Sequence, residues 1–207
     1  MTQMPPSASL SDRLSDVPIV HLIRHGKPSA TWGEAGADPD PGLDDEGRAQ
    51  AEAAAAALWA LPVPLRPSRV VSSSLRRCRE TAQPLAALLG VDLVIEPGVA
   101  EIPTPAGLSA AERPAWLRHA FSGAWADIPG DRDYAVWAAA VAAACARYPG
   151  AAVYSHFVAI NAAVGAARGD PRVRQFEPGH TSVTTFSISD GRLRLEQLGA
   201  ATATQVL

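Results

Sequence analysis

Short apolar runs alternate with longer amphipathic stretches along most of the chain, and this alternation predicts a succession of strands and helices. Four runs rich in apolar and β-branched residues are typical of buried strands, at residues 18–23, 69–73, 91–95 and 151–154. Helical patterns lie between and after them, at residues 45–61, 75–89, 113–121, 131–148 and 157–167. Repeated strand-then-helix units imply an α/β fold, a three-layer sandwich in which helices cover both faces of a mainly parallel central sheet.

Polar residues predict where several of these elements begin. A side-chain oxygen just before a helix accepts bonds from backbone N–H groups that have no partner within the helix. The residues suited to this role are Asp44, Ser73 or Ser74, and Asp131 or Asp133. Near the C-terminus, residues 182–189 and 192–198 flank an Asp190-Gly191 turn, which predicts a β-hairpin able to add an antiparallel strand.

The chain is predicted to contain one domain. Residues 1–16 are rich in Ser, Pro and Asp and lack periodicity, so we interpret them as a flexible N-terminal segment. Residues 17–207 are then a single domain, because a chain of 207 residues usually builds one core. Prolines and glycines interrupt residues 96–130, and the pattern leaves open whether residues 102–130 cover the functional site.

The composition fits a globular protein and excludes several function classes. Hydrophobic residues make up 47% of the chain and charged residues 19%, which excludes wholesale disorder. The net charge is -3 and Lys and Arg form no run, so a nucleic-acid partner is not expected. Apolar runs stay well below the roughly 18 residues of a membrane helix, so we expect a cytoplasmic protein without a membrane partner. The oligomeric state is left open.

The cysteines and histidines are too scattered to indicate a metal site. Cys78 and Cys145 are the only cysteines and lie in no CxxC or Cys/His spacing, so neither a disulfide framework nor a zinc site is predicted. His21 alternates with strand residues and is interpreted as a core histidine.

Polar side chains that suit phosphate chemistry follow each predicted strand. Arg24 and His25 follow the first strand, Arg77 the second, Glu101 the third and His156 the fourth. Ligands of open α/β sheets bind outside the carboxyl ends of the strands, so these side chains are expected at one edge. Arginines bind phosphoryl oxygens, a neutral imidazole attacks phosphorus, and a carboxyl group protonates the leaving oxygen.

Five short motifs resemble those of the histidine phosphatase superfamily, also called phosphoglycerate mutase-like proteins. Residues 22–26 (LIRHG) resemble its LxRHG signature, and residues 43–51 (LDDEGRAQA) are similar to its LTxxGxxQA element. Residues 72–82 (SSSLRRCRETA) resemble SSxLxRxxxTA, which puts the second arginine on Arg77 and not on Arg76 or Arg79. The last two are residues 99–102 (VAEI), similar to an LxE segment, and residues 153–156 (VYSH), similar to VSHG. The resemblance spans roughly residues 18–198.

The resemblance implies a phosphomonoester hydrolase that works through a phosphohistidine. His25 takes the phosphoryl group, while Arg24, Arg77 and His156 bind its oxygens, and Glu101 is the general acid and base. The resemblance implies no metal or other cofactor, and a phosphorylated small molecule or phosphoprotein as substrate. A phosphoglycerate mutase-type phosphotransferase is the main alternative, and a catalytically idle phosphate-binding regulatory module is a weaker one.

This chain departs from the family pattern around the expected pocket. Lys27 stands where the family often has Glu or Gln, Thr31 and His180 each stand where it often has Asn, and Phe157 replaces a glycine. Thr31 and His180 are retained as candidate contacts to substrate or phosphate. The acid could also be another carboxylate, and a fold-back of the middle segment could bring further cations over the site. These candidates are Glu34 and Asp127 for the acid, and Arg113, Arg118 and His119 for the cover.

Overall fold

A six-stranded sheet forms the centre of the protein. The computed structural model describes residues 10–14, 16–30 and 38–201. The strands are β1 (Ile19–Arg24), β2 (Arg69–Ser72), β3 (Leu93–Ile95), β4 (Ala151–Ser155), β5 (Val183–Ser189) and β6 (Arg192–Gln197). They lie in the order β3, β2, β4, β1, β5, β6. The first four in that order are mutually parallel, and β5 is antiparallel to both β1 and β6. The predicted mainly parallel sheet and C-terminal hairpin are confirmed.

Helices cover both faces of this sheet. They are α1 (Leu10–Arg13), α2 (Asp45–Trp59), α3 (Arg76–Leu89), α4 (Arg113–Phe121), α5 (Tyr134–Ala146) and α6 (Phe157–Arg168). Neighbouring side chains of a strand point to opposite faces. Leu22 of β1 therefore packs in one core cluster with Ile160 of α6, while Ile23 packs in another with Leu58 of α2 and Leu85 of α3. The α4 and α5 helices add to the first cluster, which completes the expected three layers.

The beginning of α3 differs from the prediction. Leu75 occupies the capping position and makes no side-chain capping bond. Ser73 instead points its Oγ at His156 Nε2, 2.8 Å away. The carboxylate of Asp40 accepts from the backbone N–H of Arg76 at 2.8 and 3.0 Å. A side chain from a distant loop thus supplies the capping acceptor that we expected from Ser73 or Ser74.

The other predicted boundaries agree with the structure or differ from it by a few residues. Asp44 caps α2 through a 2.6 Å bond from Gly47 N, and Asp133 caps α5. β3 begins later than predicted because Val91 N donates to Ala86 O and so closes the last turn of α3. Two 3-10 helices that the pattern did not predict interrupt the middle of the chain, at Pro97–Val99 and Trp125–Asp127.

The segment 1–16, interpreted as flexible, is described only in part. Residues 1–9 and 15 lie outside the described residues. Residues 10–13 form the short helix α1, and the Leu14 side chain is buried against Ile19 and Leu65. None of the helices in the described part of the chain is long and apolar enough to cross a membrane.

Candidate active site

The carboxyl ends of three neighbouring parallel strands lie at the same level of the sheet. Arg24, the last residue of β1, pairs with Ser155 of β4, and Ser72 of β2 pairs with Tyr154. The residues that directly follow, His25 and His156, therefore come together, with their ring centroids 5.3 Å apart. Ser155 Oγ also donates to Val99 O at 2.7 Å, which holds the chain just before Glu101 to the same edge.

The two ring nitrogens of His25 differ in their surroundings. Nδ1 lies 2.8 Å from the carbonyl oxygen of Gly26, which can only accept, so Nδ1 carries the proton. Nε2 therefore presents a lone pair. The His25 backbone N–H donates to Ser155 O at 3.0 Å and fixes the residue to β4. Burial lowers the pKa of His25 well below its ordinary value, with help from His156, Arg77 and Arg24, so the ring is neutral near pH 7.

His156 is fully buried and takes the opposite tautomer. Arg77 Nη2 lies 3.2 Å from its Nδ1, and a guanidinium can only donate, so Nδ1 accepts. Nε2 then carries the proton and donates to Ser73 Oγ at 2.8 Å. Burial lowers the pKa of His156 well below its ordinary value, and the charges of Arg77, Arg24 and Arg113 lower it further.

The segment just before β5 and the ring of Phe157 hold Arg24 in place. Arg24 Nη1 donates to Pro178 O at 2.9 Å, and its guanidinium lies 5.4 Å from the centre of the Phe157 ring. Burial, together with the charge of Arg77, lowers the Arg24 pKa to about 10, while Glu101 acts in the other direction. Arg24 is thus still a cation at neutral pH, and the apolar ring of Phe157 supports it.

Arg76 and Arg77 begin α3 and face in different directions. Successive helical residues point about 100° apart, so only one of two neighbours can face the pocket. Arg77 is 3% exposed and contacts His156, whereas Arg76 is exposed and pairs with Glu80 at 2.6 Å. Arg79 is also exposed. The structure therefore brings Arg77 to the histidine pair and leaves the other two arginines at the surface.

The carboxyl group of Glu101 lies at the N-terminus of α6. Its Oε1 accepts from Ile102 N at 2.9 Å and from Val158 N at 3.2 Å. Burial raises the pKa of Glu101, against the lowering effects of the bond from Ile102 N and of the charges of Arg113, Arg77 and Arg24. A carboxyl group with a raised pKa beside three cations can hold a proton and release it within the site. Asp127 is exposed in a 3-10 helix, and Glu34 lies outside the described residues.

His180 also lies close to His25, with 5.9 Å between ring centroids. Its segment is bound to the end of β1, because Arg24 N donates to Ser182 O and Thr181 N donates to Arg24 O. Thr181 adopts a φ of 54°, which is strained for a β-branched residue and persists only where its surroundings enforce it. Burial and Arg24 lower the pKa of His180 to about 4. Thr31 lies outside the described residues.

Two residues that were not predicted to belong to the site, Ser73 and Thr81, also shape it. Ser73 accepts from His156, as described above. Thr81 Oγ1 accepts from Gly26 N at 2.9 Å and donates to Arg77 O at 2.6 Å, so it joins the loop after β1 to α3. The threonine of the SSxLxRxxxTA motif was the available signal for this link.

Arg113, one of the cations predicted to lie over the site if the middle segment folds back, comes from the first turn of α4. It is 3% exposed, while Arg118 and His119 of the same helix are exposed. Its position in the fold depends on how residues 102–113 turn back toward the sheet, so only the possibility of a fold-back was visible in the sequence.

The described residues contain no group of three or more His, Cys, Asp or Glu side chains placed to hold a metal ion. The arginines, histidines and single carboxyl group instead form an enclosed, cationic site at the sheet edge. The family model for the histidine phosphatase superfamily (branch 1) matches residues 20–201. The chain belongs to this superfamily.

Solved structures show the same fold as this chain. A phosphoserine phosphatase from Entamoeba histolytica, in complex with 3-phosphoglyceric acid, aligns with a TM-score of 0.69 and 19% identity, covering 88% of this chain and 97% of that one. A mycobacterial glucosyl-3-phosphoglycerate phosphatase aligns with a TM-score of 0.67 and 22% identity, over 89% and 100% of the two chains. A protein described as mycobacterial hydrolase 1 aligns with a TM-score of 0.68 and 23% identity, covering 89% of this chain and 100% of that one. A comparison with curated protein sequences returns no match.

Proposed function

We propose that this histidine phosphatase hydrolyses phosphomonoesters through a phosphohistidine on His25. The observation that carries the proposal is the tautomer of His25, whose protonated Nδ1 is bound by the Gly26 carbonyl and whose Nε2 lone pair is available. Nε2 attacks phosphorus, and the bond from phosphorus to the ester oxygen breaks with its electron pair on the leaving oxygen. Water then attacks the same phosphorus, and the electron pair of the P–N bond returns to Nε2.

Arg24, Arg77 and His156 are proposed to bind the phosphoryl oxygens during both steps. Phosphoryl transfer mainly requires that the reacting groups are positioned and that cations lie near the equatorial oxygens of the phosphoryl group. Arg24 and Arg77 are buried, so their interactions with an anion are weakly screened by water. His180, whose ring lies 5.9 Å from that of His25, and Thr31 are proposed as further contacts to the substrate or its phosphate.

Glu101 is proposed as the general acid and base. Its raised pKa keeps a proton available for the leaving oxygen in the first step. The carboxylate left behind then accepts the proton of the attacking water, which restores the starting state.

We further propose that the reaction needs no metal ion. Metal ions in phosphoryl transfer neutralise the charge that develops on phosphoryl oxygens. Arg24, Arg77 and Arg113 already bring three buried or nearly buried cations to this site. Activity is therefore expected to survive dialysis against a chelator.

The substrate is proposed to be a phosphorylated small molecule. Two proteins of similar fold are named for phosphoserine and for glucosyl-3-phosphoglycerate as substrates, and the former was solved with 3-phosphoglyceric acid. At under 25% identity these names suggest compounds to try first. A screen of phosphorylated metabolites with phosphate release as the readout would identify the preferred one.

Trapping the covalent intermediate tests the proposal directly. The protein is mixed rapidly with a labelled phosphate ester and quenched without acid, because phosphohistidine is acid-labile. Wild-type protein should carry label, and His25→Ala should lose both label and turnover. His119→Ala is the matched control, since His119 is an exposed histidine of α4 and should leave both unchanged. Turnover retained in His25→Ala would contradict the proposal.

A mutase is the second candidate function, and Arg113 is the observation that favours it. A mutase must hold its product for return of the phosphoryl group, which calls for extra cations near the substrate. Against it, residues 102–111 contain no cation, and Phe157 brings an apolar ring beside His156. Supplying 3-phosphoglycerate with a catalytic amount of its bisphosphate separates the two: hydrolysis should outrun isomerisation, and the reverse would favour the mutase.

A further inference from the structure

Arg113 is a buried cation that the proposed reaction uses only as a source of positive charge. It lies in the first turn of α4, in the long connection between β3 and α5, and is 3% exposed. Burying a guanidinium is costly unless hydrogen bonds and opposite charge compensate it. Its partners therefore indicate what it does.

The guanidinium of Arg113 contacts two residues of the segment 102–104, which follows Glu101. Nη1 donates to Thr104 Oγ1, and Nη2 donates to Ile102 O at 3.4 Å. The N–H of Ile102 donates to Glu101 Oε1. Ile102 is therefore bonded to the Glu101 carboxyl group through its N–H and to Arg113 through its carbonyl oxygen. Arg113 thereby joins α4 to the segment that carries Glu101.

Arg113 also places charge near the carboxyl group. Among the charged groups around Glu101, Arg113 lowers the carboxyl pKa most, followed by Arg77 and Arg24, while burial acts in the opposite direction and dominates. The charge of Arg113 also reaches His156. These cations come from α4, α3 and β1, so Glu101 is surrounded by positive charge from three elements.

We propose that Arg113 is a positioning residue for the proton donor: it anchors the segment 102–104 and keeps a positive charge beside the Glu101 carboxyl group. This inference rests on the proposed role of Glu101 as the acid. Its signature is a loss of activity that grows as the leaving group becomes poorer, because proton donation matters little when the departing oxygen is already a stable anion.

The test compares phenyl phosphate with 4-nitrophenyl phosphate as probes, since both carry an aryl group but differ in leaving-group stability. Arg113→Met should reduce kcat/KM about tenfold on phenyl phosphate and about threefold or less on 4-nitrophenyl phosphate. Loss of the cation raises the Glu101 pKa further, so the alkaline limb of the phenyl phosphate pH profile should move to higher pH.

Two milder variants separate the anchor from the charge. Arg113→Lys keeps the cation, so the alkaline limb should stay in place while the rate on phenyl phosphate falls. Thr104→Val removes one acceptor and keeps the volume, with the same expected result. Arg118→Met is the matched control, because Arg118 is an exposed arginine of α4, and it should behave as wild type.

Equal losses on both probes with an unmoved pH limb in Arg113→Met would overturn the inference. If that variant does not fold, unchanged probe ratios in both Arg113→Lys and Thr104→Val would overturn it instead. The Glu101→Gln variant distinguishes a deeper failure. Equal losses on both probes in Glu101→Gln would show that Glu101 is not the acid, whereas probe-dependent losses there, absent in the Arg113 variants, would reject only the role of Arg113.

Discussion

At the scale of single residues, buried cations outnumber anions around Glu101 and His156. Arg24, Arg77 and Arg113 are each at most 9% exposed, and Glu101 is the carboxyl group they surround. A cavity lined by one sign of charge attracts the opposite sign, and a phosphomonoester near pH 7 is close to a dianion. The arginines therefore suit a phosphate ester better than a neutral substrate, and each has its own testable contribution.

Arg77 and Arg76 provide a matched pair for testing phosphate binding. Arg77→Ala should lower kcat/KM by on the order of a hundredfold or more, because it removes a buried donor that we propose binds the transferring group. Arg76→Ala should change it little, since Arg76 is exposed and its pairing with Glu80 is a surface ion pair. Steady-state kinetics on 4-nitrophenyl phosphate measure both, and comparable losses would contradict the assignment.

The role of Glu101 as the acid is tested by changing the leaving group of the substrate. Glu101→Gln keeps the shape of the side chain and an oxygen to accept from Ile102 N and Val158 N, but it has no proton to give. We expect a loss on the order of a hundredfold on phenyl phosphate and a much smaller one on 4-nitrophenyl phosphate, measured as kcat. Asp127→Asn serves as the control because Asp127 is an exposed carboxylate of a 3-10 helix.

The choice between Arg76 and Arg77 could be made from the sequence, whereas Arg113 could not be assigned. The first depends on local helix geometry and on a motif that spans a few turns. The second depends on how residues 102–113 fold back over the sheet edge, and their prolines and glycines carry no periodic signal. Contacts between distant segments are therefore the part of the site that the sequence pattern missed.

At the scale of elements, two glycines let the loop after β1 lie against the start of α2. A Cβ on Gly26 would approach Gly47 O to 2.7 Å, and a Cβ on Gly47 would overlap the carbonyl oxygen of Lys27. Lys27 N also donates to Gln50 Oε1 at 3.0 Å, and Asp44 N donates to Lys27 O at 3.1 Å. The glycines of both motifs thus allow the loop after β1 and the start of α2 to approach each other closely. This approach fixes the position of the Gly26 carbonyl oxygen, which contacts His25 Nδ1.

Gly47→Ala is expected to weaken both stability and activity. An alanine in a helix gains up to about 1 kcal/mol over glycine. Overlap with fixed backbone costs about 1–3 kcal/mol, so the balance is destabilising. Displacing residues 26–27 also moves the acceptor of His25 Nδ1 and should lower kcat. Urea unfolding and kinetics measure the two effects. Gly123→Ala is the control, since its nearest neighbour lies 3.9 Å away, and wild-type behaviour of Gly47→Ala would contradict this account.

The elements themselves follow closely from the hydrophobic pattern, and their ends do so less well. The α4 helix occupies the predicted residues 113–121, because Arg113-Pro114 begins it and its apolar residues repeat with helical spacing. The start of α3 was predicted with the wrong cap, because Asp40 reaches it from 36 residues away and Ser73 is engaged by His156. Ser73 thus bonds to a histidine of the site and does not cap the helix that follows it, although serine is a residue type suited to capping.

At the scale of the whole molecule, one consequence of placing the site at the sheet edge is a set of neutral buried histidines. Burial lowers the pKa of four imidazoles in the folded protein: His21 in the core, and His25, His156 and His180 at the site. In the unfolded chain each would titrate near the ordinary value of 6.5. Below that pH the unfolded state binds more protons than the folded state, so stability must rise with pH.

The free energy of unfolding is therefore expected to fall steeply as the pH drops below about 6.5, earlier than ordinary carboxylates would cause. Each imidazole that stays neutral contributes up to about 1.4 kcal/mol of loss per pH unit. Glu101 acts in the opposite direction, because its raised pKa makes the folded state bind an extra proton, but it is one group against four.

Urea unfolding between about pH 7.5 and pH 5 measures the slope of the free energy of unfolding against pH. His180→Asn should reduce this slope, because the substitution removes one buried imidazole whose pKa is lowered. A free energy of unfolding that stays constant from pH 7.5 to 5.5 would show that the buried histidines take up protons without penalty.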